Sequence, residues 1–464
     1  MNAKSFFWWL DVPKKIIWTP FWWLILSTAV FFIPVVKVWW WVIVPIIMAF
    51  PLETYYLWWI RWDFWYLKKQ WIILEVVPPK ESLAPFKAME DVFSAVWTLI
   101  DTANWREIWC EGEFAICPEW LSWEIASLEG SVHFYIRCIA PHRPIVESAL
   151  YPHYPEVEIS QVQDYVKTVP KNIPNKEWNI YGTEFVLGKE DAYPIKTFSK
   201  FFEIGGEKIS QEEKRIDPII SLLEGMSRLG HGENLWFQIV SIPITDHDFP
   251  WRESGKKIIS KIAKRPEKAE ETFFGVLGQM FSELFAGFTG SAGKDEKGGA
   301  KALSEAKSES SEREMLLTPG ERGVLTAIEE KMEKSAWKTT IRGVYVARRE
   351  NWTSPNRKTC ESYMPHFNTQ NMNFFKFHGI TRTKVHFFMR KKRTLVRQKK
   401  MFSNYVNRFP PLFPQWDLAG SSILNSEELA TIYHFPTRIT ALIASAVTRV
   451  EAKRGGPPPN LPTE

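Results

Sequence analysis

The chain has 464 residues, of which 24% are charged, with a net charge of +5 and four cysteines. This length accommodates an anchor and two or three domains, whereas so few cysteines, with no paired C-x-x-C spacing, exclude a disulfide scaffold and a zinc ribbon. We expect reduced thiols facing a cytoplasm, with a Cys110–Cys117 pair as the alternative. Because the net charge is modest, an electrostatic function requires local clustering of charge.

Residues 16–60 form an apolar block rich in tryptophan. Pro34 divides its apolar run into residues 16–33 and 35–52, which together contain one charged residue, Lys37. Each half approaches the minimum length for crossing a hydrocarbon core about 30 Å thick. The pattern predicts an N-terminal transmembrane helical hairpin within an anchor of residues 1–70. A flat or re-entrant anchor in one leaflet and a buried hairpin in a soluble core are the alternatives.

Basic residues on both flanks of the block predict that both ends of the hairpin face the cytoplasm. Indole rings favour the membrane interface, where an apolar body and an N–H donor are both satisfied. The predicted membrane-interface residues are Trp22, Trp23, Trp39, Trp40, Trp41, Trp58 and Trp59.

Residues 71–190 are predicted to form a first ferredoxin-like module. The predicted elements are a strand at 71–77, a helix at 85–100, a hairpin of strands 120–127 and 131–139, a helix at 141–150 and a strand at 157–159. This order is the split β-α-β arrangement of ferredoxin-like folds. Such folds host many unrelated functions, so the topology specifies no chemistry.

A second ferredoxin-like module is predicted from residues 191–254 and 313–416, which gives an α+β fold overall. Its predicted elements are strands at 192–198, 233–242 and 337–348 and helices at 217–229 and 319–334, the last behind the N-cap Thr318. Residues 255–312 form a helical insertion followed by a linker rich in Gly, Ser, Lys and Glu, which predicts disorder. Residues 417–464 are predicted to be a C-terminal segment with a flexible tail.

Six segments carry a resemblance to a known family. They are Leu74-Glu-Val-Val-Pro-Pro-Lys-Glu, Lys87-Ala-Met-Glu, Trp123-Glu-Ile-Ala-Ser, Val132-His-Phe-Tyr-Ile, and residues 147–154 and 159–165. Together they resemble the membrane-anchored amino-terminal region of conjugation-type proteins, which are related to type IV secretion and conjugative DNA-transfer ATPases of candidate-phylum bacteria. The resemblance implies an inner-membrane subunit with its soluble domains in the cytoplasm. It also implies an oligomer that docks a separate ATPase, because in longer relatives this region precedes a motor domain that is missing here.

The sequence contains no catalytic motif with the required spacing of residues. The one phosphate-loop candidate ends at Gly293-Lys294, but Phe288 stands where the first glycine is needed and Asp295 replaces the magnesium-binding hydroxyl. The nine histidines lack metal-ligand spacing, and no spacing ties the carboxylates Glu124, Glu129, Glu147 and Asp164 to acid–base work. The sequence predicts a protein that is not an enzyme and needs no cofactor or metal; an enzyme with an unfamiliar motif is the alternative.

Residues 362–416 contain no acidic residue and eleven Lys or Arg, with aromatic residues between them. Such a segment can bind the phosphates and unpaired bases of DNA, an anionic lipid leaflet or a protein partner, and all three partners stay open here. The predicted nucleic-acid or lipid-binding residues are Lys384, Arg390, Lys391, Lys392, Arg393, Arg397, Lys399 and Lys400.

Overall fold

The computed structural model describes residues 24–25, 27–32, 34–59, 69–78, 85–100, 120–201, 217–246, 249–263, 317–386, 389–409 and 420–436. Its strands are β1 (Trp71–Val77), β2 (Leu121–Leu128), β3 (Ser131–Ile139), β4 (Glu158–Val162), β5 (Trp178–Leu187), β6 (Glu233–Ile244), β7 (Ala336–Arg348), β8 (Phe375–Phe377) and β9 (Ser422–Asn425). The α-helices within these ranges are α1 (Pro34–Lys37), α2 (Trp40–Trp59), α3 (Pro85–Val96), α4 (Arg143–Leu150), α5 (Phe198–Phe201), α6 (Pro218–Ser227), α7 (Trp251–Ile262), α8 (Pro319–Glu333), α9 (Thr359–Tyr363), α10 (Arg390–Asn407) and α11 (Ser426–Ile432).

The predicted transmembrane hairpin is wrong. Among the residues that the structure describes, no helix combines the length and the apolar character needed to cross a membrane. At the division between the two predicted helices, Pro34–Lys37 form a short helix, α1, and α2 starts only at Trp40. Although α2 has 20 residues, its sequence includes two prolines, Glu53 and four tryptophans, and tryptophan is an interfacial rather than a hydrocarbon-core residue. Most of the predicted first helix lies outside the described residues.

The prediction of two ferredoxin-like modules is also wrong, because the strands form one nine-stranded sheet. Their order is β4-β1-β3-β2-β6-β7-β5-β8, with β9 paired to β7. The two predicted modules meet where β2 pairs with β6, from Leu121 opposite Ser241 to Leu128 opposite Asn234. Separate modules would leave both strands as edges with unpaired backbone groups. Hydrophobic periodicity indicates which faces of a strand are buried. It does not indicate which other strand will pair with it in the sheet.

Most individual elements match their predicted positions. The predictions for β1, the β2–β3 hairpin, α3, α4, α6, β6, α8 and β7 are confirmed to within a few residues. Thr318 caps α8 as predicted, since Glu321 N donates to its hydroxyl and Glu321 Oε2 accepts from Thr318 N at 2.9 Å. The predicted strand at 192–198 is absent from the described structure, and β5 was missed. The linker at 287–311 lies outside the described residues.

The sheet has a hydrophobic core on each face. Along β1, Ile72, Leu74 and Val76 pack into one core and Ile73 into the other, as the period of two in a strand requires. The larger core contains buried residues of α3, α4, α6, α9 and α11, including Met89, Val146 and Leu429. The smaller core contains Met401, Phe402 and Tyr405 of α10 together with Tyr165 and Trp236. The basic segment, residues 362–416, therefore contributes to both cores, because Tyr363, Met364 and Phe367 belong to the larger one.

The chain divides into two compact units, Pro250–Glu333 and the remainder. In the smaller unit, α7 and α8 pack together, and Arg252 Nε donates to Met332 O at 2.7 Å. Trp251 and Ile258 of α7 and Ile328 of α8 are buried. The candidate site described below lies in the larger unit.

Candidate anion-binding site

Helix α10 holds seven of the eight predicted basic residues. It has the sequence Arg-Lys-Lys-Arg-Thr-Leu-Val-Arg-Gln-Lys-Lys-Met-Phe-Ser-Asn-Tyr-Val-Asn, with no acidic residue. Met389 before it and Arg408 after it both have positive φ, at 51° and 58°, so the chain turns sharply at each end. The eighth residue, Lys384, is exposed and lies in the segment before the helix.

The two halves of α10 have opposite environments. In the C-terminal half, Met401, Phe402 and Tyr405 are buried against the sheet. Gly182 of β5 makes room for this contact, because a Cβ there would lie 2.4 Å from Met401 Cγ. In the N-terminal half, residues 390–393 are all exposed. The sequence pattern identified the cations but did not reveal which half of the helix the sheet would cover.

Arg397 differs from its basic neighbours because it is tied to the protein. Its Nη1 atom donates to Gly379 O at 3.0 Å and to Arg382 O at 2.9 Å. Partial burial, together with the charge of Arg393, lowers the pKa of Arg397. Arg397 therefore holds the segment before α10 against the helix, whereas residues 390–393 point into solvent.

The first turn of α10 concentrates positive charge at the positive end of the helix dipole. Four of its residues are basic, and within the described structure no side chain caps the free backbone N–H groups. Cations at a helix N-terminus are electrostatically unfavourable, and anions are favourable. A bound anion would reduce the repulsion among the cations and would accept hydrogen bonds from the uncapped N–H groups.

A cleft of about 810 Å³ lies between α10 and the loop at residues 164–175. Leu395 and Val396 of α10, which are 42% and 39% exposed, line one wall. Val166, Val169 and Ile173 line the opposite wall and are buried. Four lysines also line the cleft: Lys167, Lys171, Lys399 and Lys400. Sequence reasoning missed Lys167 and Lys171, which lie more than 200 positions before α10 in the chain and have no distinctive local pattern.

Local hydrogen bonds shape the loop wall. Asp164 Oδ1 accepts from Val166 N at 3.1 Å and caps a 3₁₀ turn at Tyr165–Thr168. At the other end, Asn175 Oδ1 accepts from Trp178 N at 2.7 Å and joins the loop to the start of β5. The Ile173–Pro174 peptide bond in this wall is cis.

A buried ionic cluster fixes the C-terminal end of α10. Arg408 donates to both oxygens of Glu124, at 2.9 and 3.1 Å, and to both oxygens of Asp164, at 2.6 and 3.0 Å. Burial alone would raise the pKa of Glu124, but the Arg408 charge and hydrogen bonds outweigh it and lower that pKa to about 2. Arg342 adds a donor to Asn404 O at 2.8 Å and pairs with buried Glu184. The cluster therefore joins α10, the loop and β2.

The carboxylates considered for acid–base chemistry all have structural partners. Glu124 and Asp164 bind Arg408, as described above. Glu129 accepts from Gly232 N at 2.9 Å, and Glu147 Oε1 accepts from Arg143 Nε at 2.7 Å. Among the described residues, no three His, Cys, Asp or Glu side chains are grouped as a metal site.

The aromatic rings of the basic segment turn away from solvent on α10. Phe402 and Tyr405 are buried, and Tyr405 stacks on Trp236 at 5.1 Å between ring centroids. Phe374 and Phe377 are exposed at the β8 edge, and Arg382 covers the Phe377 ring at 4.0 Å. Phe387 and Phe388 lie outside the described residues. No described ring on α10 is available to stack on an unpaired base.

The tryptophan-rich segment exposes large apolar side chains. Trp39, Trp40 and Trp41 are exposed, as are Phe32 and Val38. Trp58 and Trp59 lie within α2, but their side chains are outside the described part of the structure, as are Trp22 and Trp23. Exposed apolar groups in such number indicate contact with a membrane or a partner.

Comparisons with known proteins give this chain no family. A scan against models of protein families finds no match, and a search of curated proteins finds no similar sequence.

Proposed function

We propose that this protein is a non-catalytic scaffold that binds the anionic surface of a membrane through α10. The observation that carries the proposal is the mixture of side chains on the exposed half of the helix. Leu395 and Val396 are exposed beside the cations of residues 390–393. Cations attract anionic headgroups, and aliphatic side chains insert at the boundary between headgroups and acyl chains.

The tryptophan-rich segment supports the same proposal. Its exposed residues Phe32, Val38, Trp39, Trp40 and Trp41 have the composition of an interfacial anchor, in which rings lie at headgroup level and no span is required. A single weak anchor binds a membrane reversibly, and two combined signals bind it stably. The basic helix and the tryptophan-rich segment would supply such a pair.

DNA is the rival ligand for the basic residues. Non-specific binding of single strands combines phosphate contacts with aromatic stacking, and the rings of α10 described above are buried. Exposed aliphatic side chains add nothing to a phosphate contact. The side chains of α10 therefore favour lipid over DNA.

The wider setting remains a prediction from the sequence resemblance. It comprises the cytoplasmic face of a bacterial inner membrane, a conjugation or type IV secretion-like apparatus, an oligomer and a separate docked ATPase. No described contact tests any of these, and the scaffold proposal does not depend on them.

Flotation of the full chain on lipid vesicles tests the proposal. We expect flotation on vesicles that contain phosphatidylglycerol, weaker flotation on pure phosphatidylcholine, and a decrease as salt is raised. A single-stranded oligonucleotide serves as the comparison ligand. Salt-sensitive oligonucleotide binding without flotation on anionic vesicles would overturn the proposal in favour of DNA.

A further inference from the structure

We propose that the cleft between α10 and the loop at residues 164–175 holds one acyl chain of an anionic phospholipid, with the headgroup phosphate among the four lysines. This inference rests on the proposed function, since the lipid would come from the membrane that α10 binds. It adds a defined site for a single lipid to a surface that otherwise attracts lipids only by charge.

The walls of the cleft fit an aliphatic chain. Val166, Val169 and Ile173 face Leu395 and Val396 across it, and none of these side chains has a polar group. The volume of about 810 Å³ lies within the range of about 300–1,000 Å³ that is usual for small-molecule sites. A chain in the cleft would cover Leu395 and Val396, the two exposed aliphatic residues of α10.

The lining of the cleft has more basic than acidic residues, which favours an anionic ligand. Lys167 and Lys171 come from the loop, and Lys399 and Lys400 come from α10. Asp164 is the one acidic residue in the lining, and both of its oxygens accept hydrogen bonds from Arg408. Four cations beside an aliphatic surface match a ligand with a phosphate at one end and a hydrocarbon chain at the other.

The ion pair of Asp164 with Arg408 joins the two walls. Asp164 caps the first turn of the loop, and Arg408 is the C-cap of α10. Both walls are therefore fixed relative to the sheet through Glu124, which is fully buried. Such a preorganised cleft limits the ordering cost of binding.

Titration of the full chain with dihexanoyl-phosphatidylglycerol below its micelle concentration tests the cleft without a membrane surface. Ser403 lines the cleft on α10, so Ser403→Trp would fill it without altering any charge. Ser148 of α4 is an exposed helical serine that does not line the cleft, and Ser148→Trp is the control. We expect Ser403→Trp to weaken binding at least tenfold and Ser148→Trp to leave it unchanged.

A second variant keeps the test valid if Ser403→Trp fails to fold. Lys167→Gln with Lys171→Gln alters only exposed side chains, and it should weaken binding of dihexanoyl-phosphatidylglycerol while sparing dihexanoyl-phosphatidylcholine. The proposal is overturned if wild type binds both lipids equally, or if the folded variants bind like wild type. Vesicle flotation without binding of lipid monomers would also overturn the proposed lipid site in the cleft, but it would not contradict the proposed function. Monomer binding without flotation would overturn the membrane role instead.

Discussion

Glu124 and Arg408 form a deeply buried ion pair behind α10, although 284 positions separate them in the chain. Ser122, Tyr165 and Gln238 also donate to the Glu124 carboxylate. A buried ion pair costs desolvation, but removal of one partner leaves the other charge uncompensated. The cluster therefore makes the position of α10 depend on two carboxylates, those of Glu124 and Asp164.

Replacement of Glu124 by Gln should lower the free energy of unfolding by about 3 kcal/mol, the lower end of the range for broken buried pairs, because Asp164 still faces Arg408. The folded pKa of about 2 lies below the ordinary 4.5, so the Glu124 contribution is complete above pH 4.5 and declines as the pH falls towards 2. Urea unfolding across this range should show the difference between wild type and variant shrinking with acid. Glu156→Gln, at an exposed site, is the control, and a difference that is independent of pH would contradict the assignment.

Single residues also show what the sequence could not predict. Arg408 was counted among the cations of the basic segment, yet it is buried and serves the core. Arg382 pairs with Glu361 at 3.0 Å, and Arg397 is held by backbone carbonyls. Local composition counts charges correctly, but it cannot identify the partners that folding brings to each charge. The exposed charge of the segment is therefore smaller than its composition suggested.

Helix α10 combines a buried half with a half that is electrostatically unfavourable. The buried half explains why the helix forms, since Met401, Phe402 and Tyr405 pack against the sheet. The first turn opposes the helix dipole with four cations and no cap. We interpret this unfavourable turn as a feature retained for binding an anion.

Lys391→Glu tests that interpretation. A carboxylate in the first turn interacts favourably with the helix dipole and with its basic neighbours, so the free energy of unfolding should rise by about 0.3–1 kcal/mol at low salt. Binding to anionic vesicles should fall at the same time. Lys176→Glu, an exposed site before β5, should reproduce neither change. If the Lys391→Glu variant is stabilised but floats like wild type, the first turn of α10 is not part of the membrane-binding surface.

Elements were predictable where the local pattern was strong. In the β2–β3 hairpin the apolar residues Val132, Phe134, Ile136 and Cys138 alternate along the sequence after Glu129-Gly130, and Gly130 adopts φ 94°, which the turn requires. The predicted strand at 192–198 is wrong, and β5 was not predicted, because Gly182 and Glu184 interrupt the alternation that Trp178 and Ile180 begin.

At the scale of the larger unit, the pairing of β2 with β6 makes one sheet from the two predicted modules. This pair lies at the centre of the strand order. Register and edge pairing depend on which strands meet after collapse, and a single sequence does not reveal this. The cleft could not be predicted for the same reason, because its walls come from two distant parts of the chain, residues 164–175 and 395–407.

Hydrogen exchange distinguishes one sheet from two modules. We expect backbone amides of β2, β6 and β7 to exchange only through global unfolding, with equal protection, because central strands of one cooperative unit open together. Peptides covering residues 121–128, 233–244 and 336–348 should therefore show the same exchange free energy. Separate exchange free energies for the strands on the two sides of the β2–β6 pair would contradict a single cooperative sheet.

The most direct test of the central claim is a salt titration of vesicle flotation with a charge-matched pair of variants. The first variant replaces Arg390, Lys391, Lys392 and Arg393 by Gln. The control replaces four exposed cations elsewhere: Lys176, Arg228, Lys256 and Lys358. At about 1 kcal/mol per basic residue at the surface of an anionic leaflet, the first variant should lose most of its flotation on phosphatidylglycerol vesicles, and the control should float like wild type. Equal flotation of both variants would show that α10 does not bind the membrane and would contradict the account.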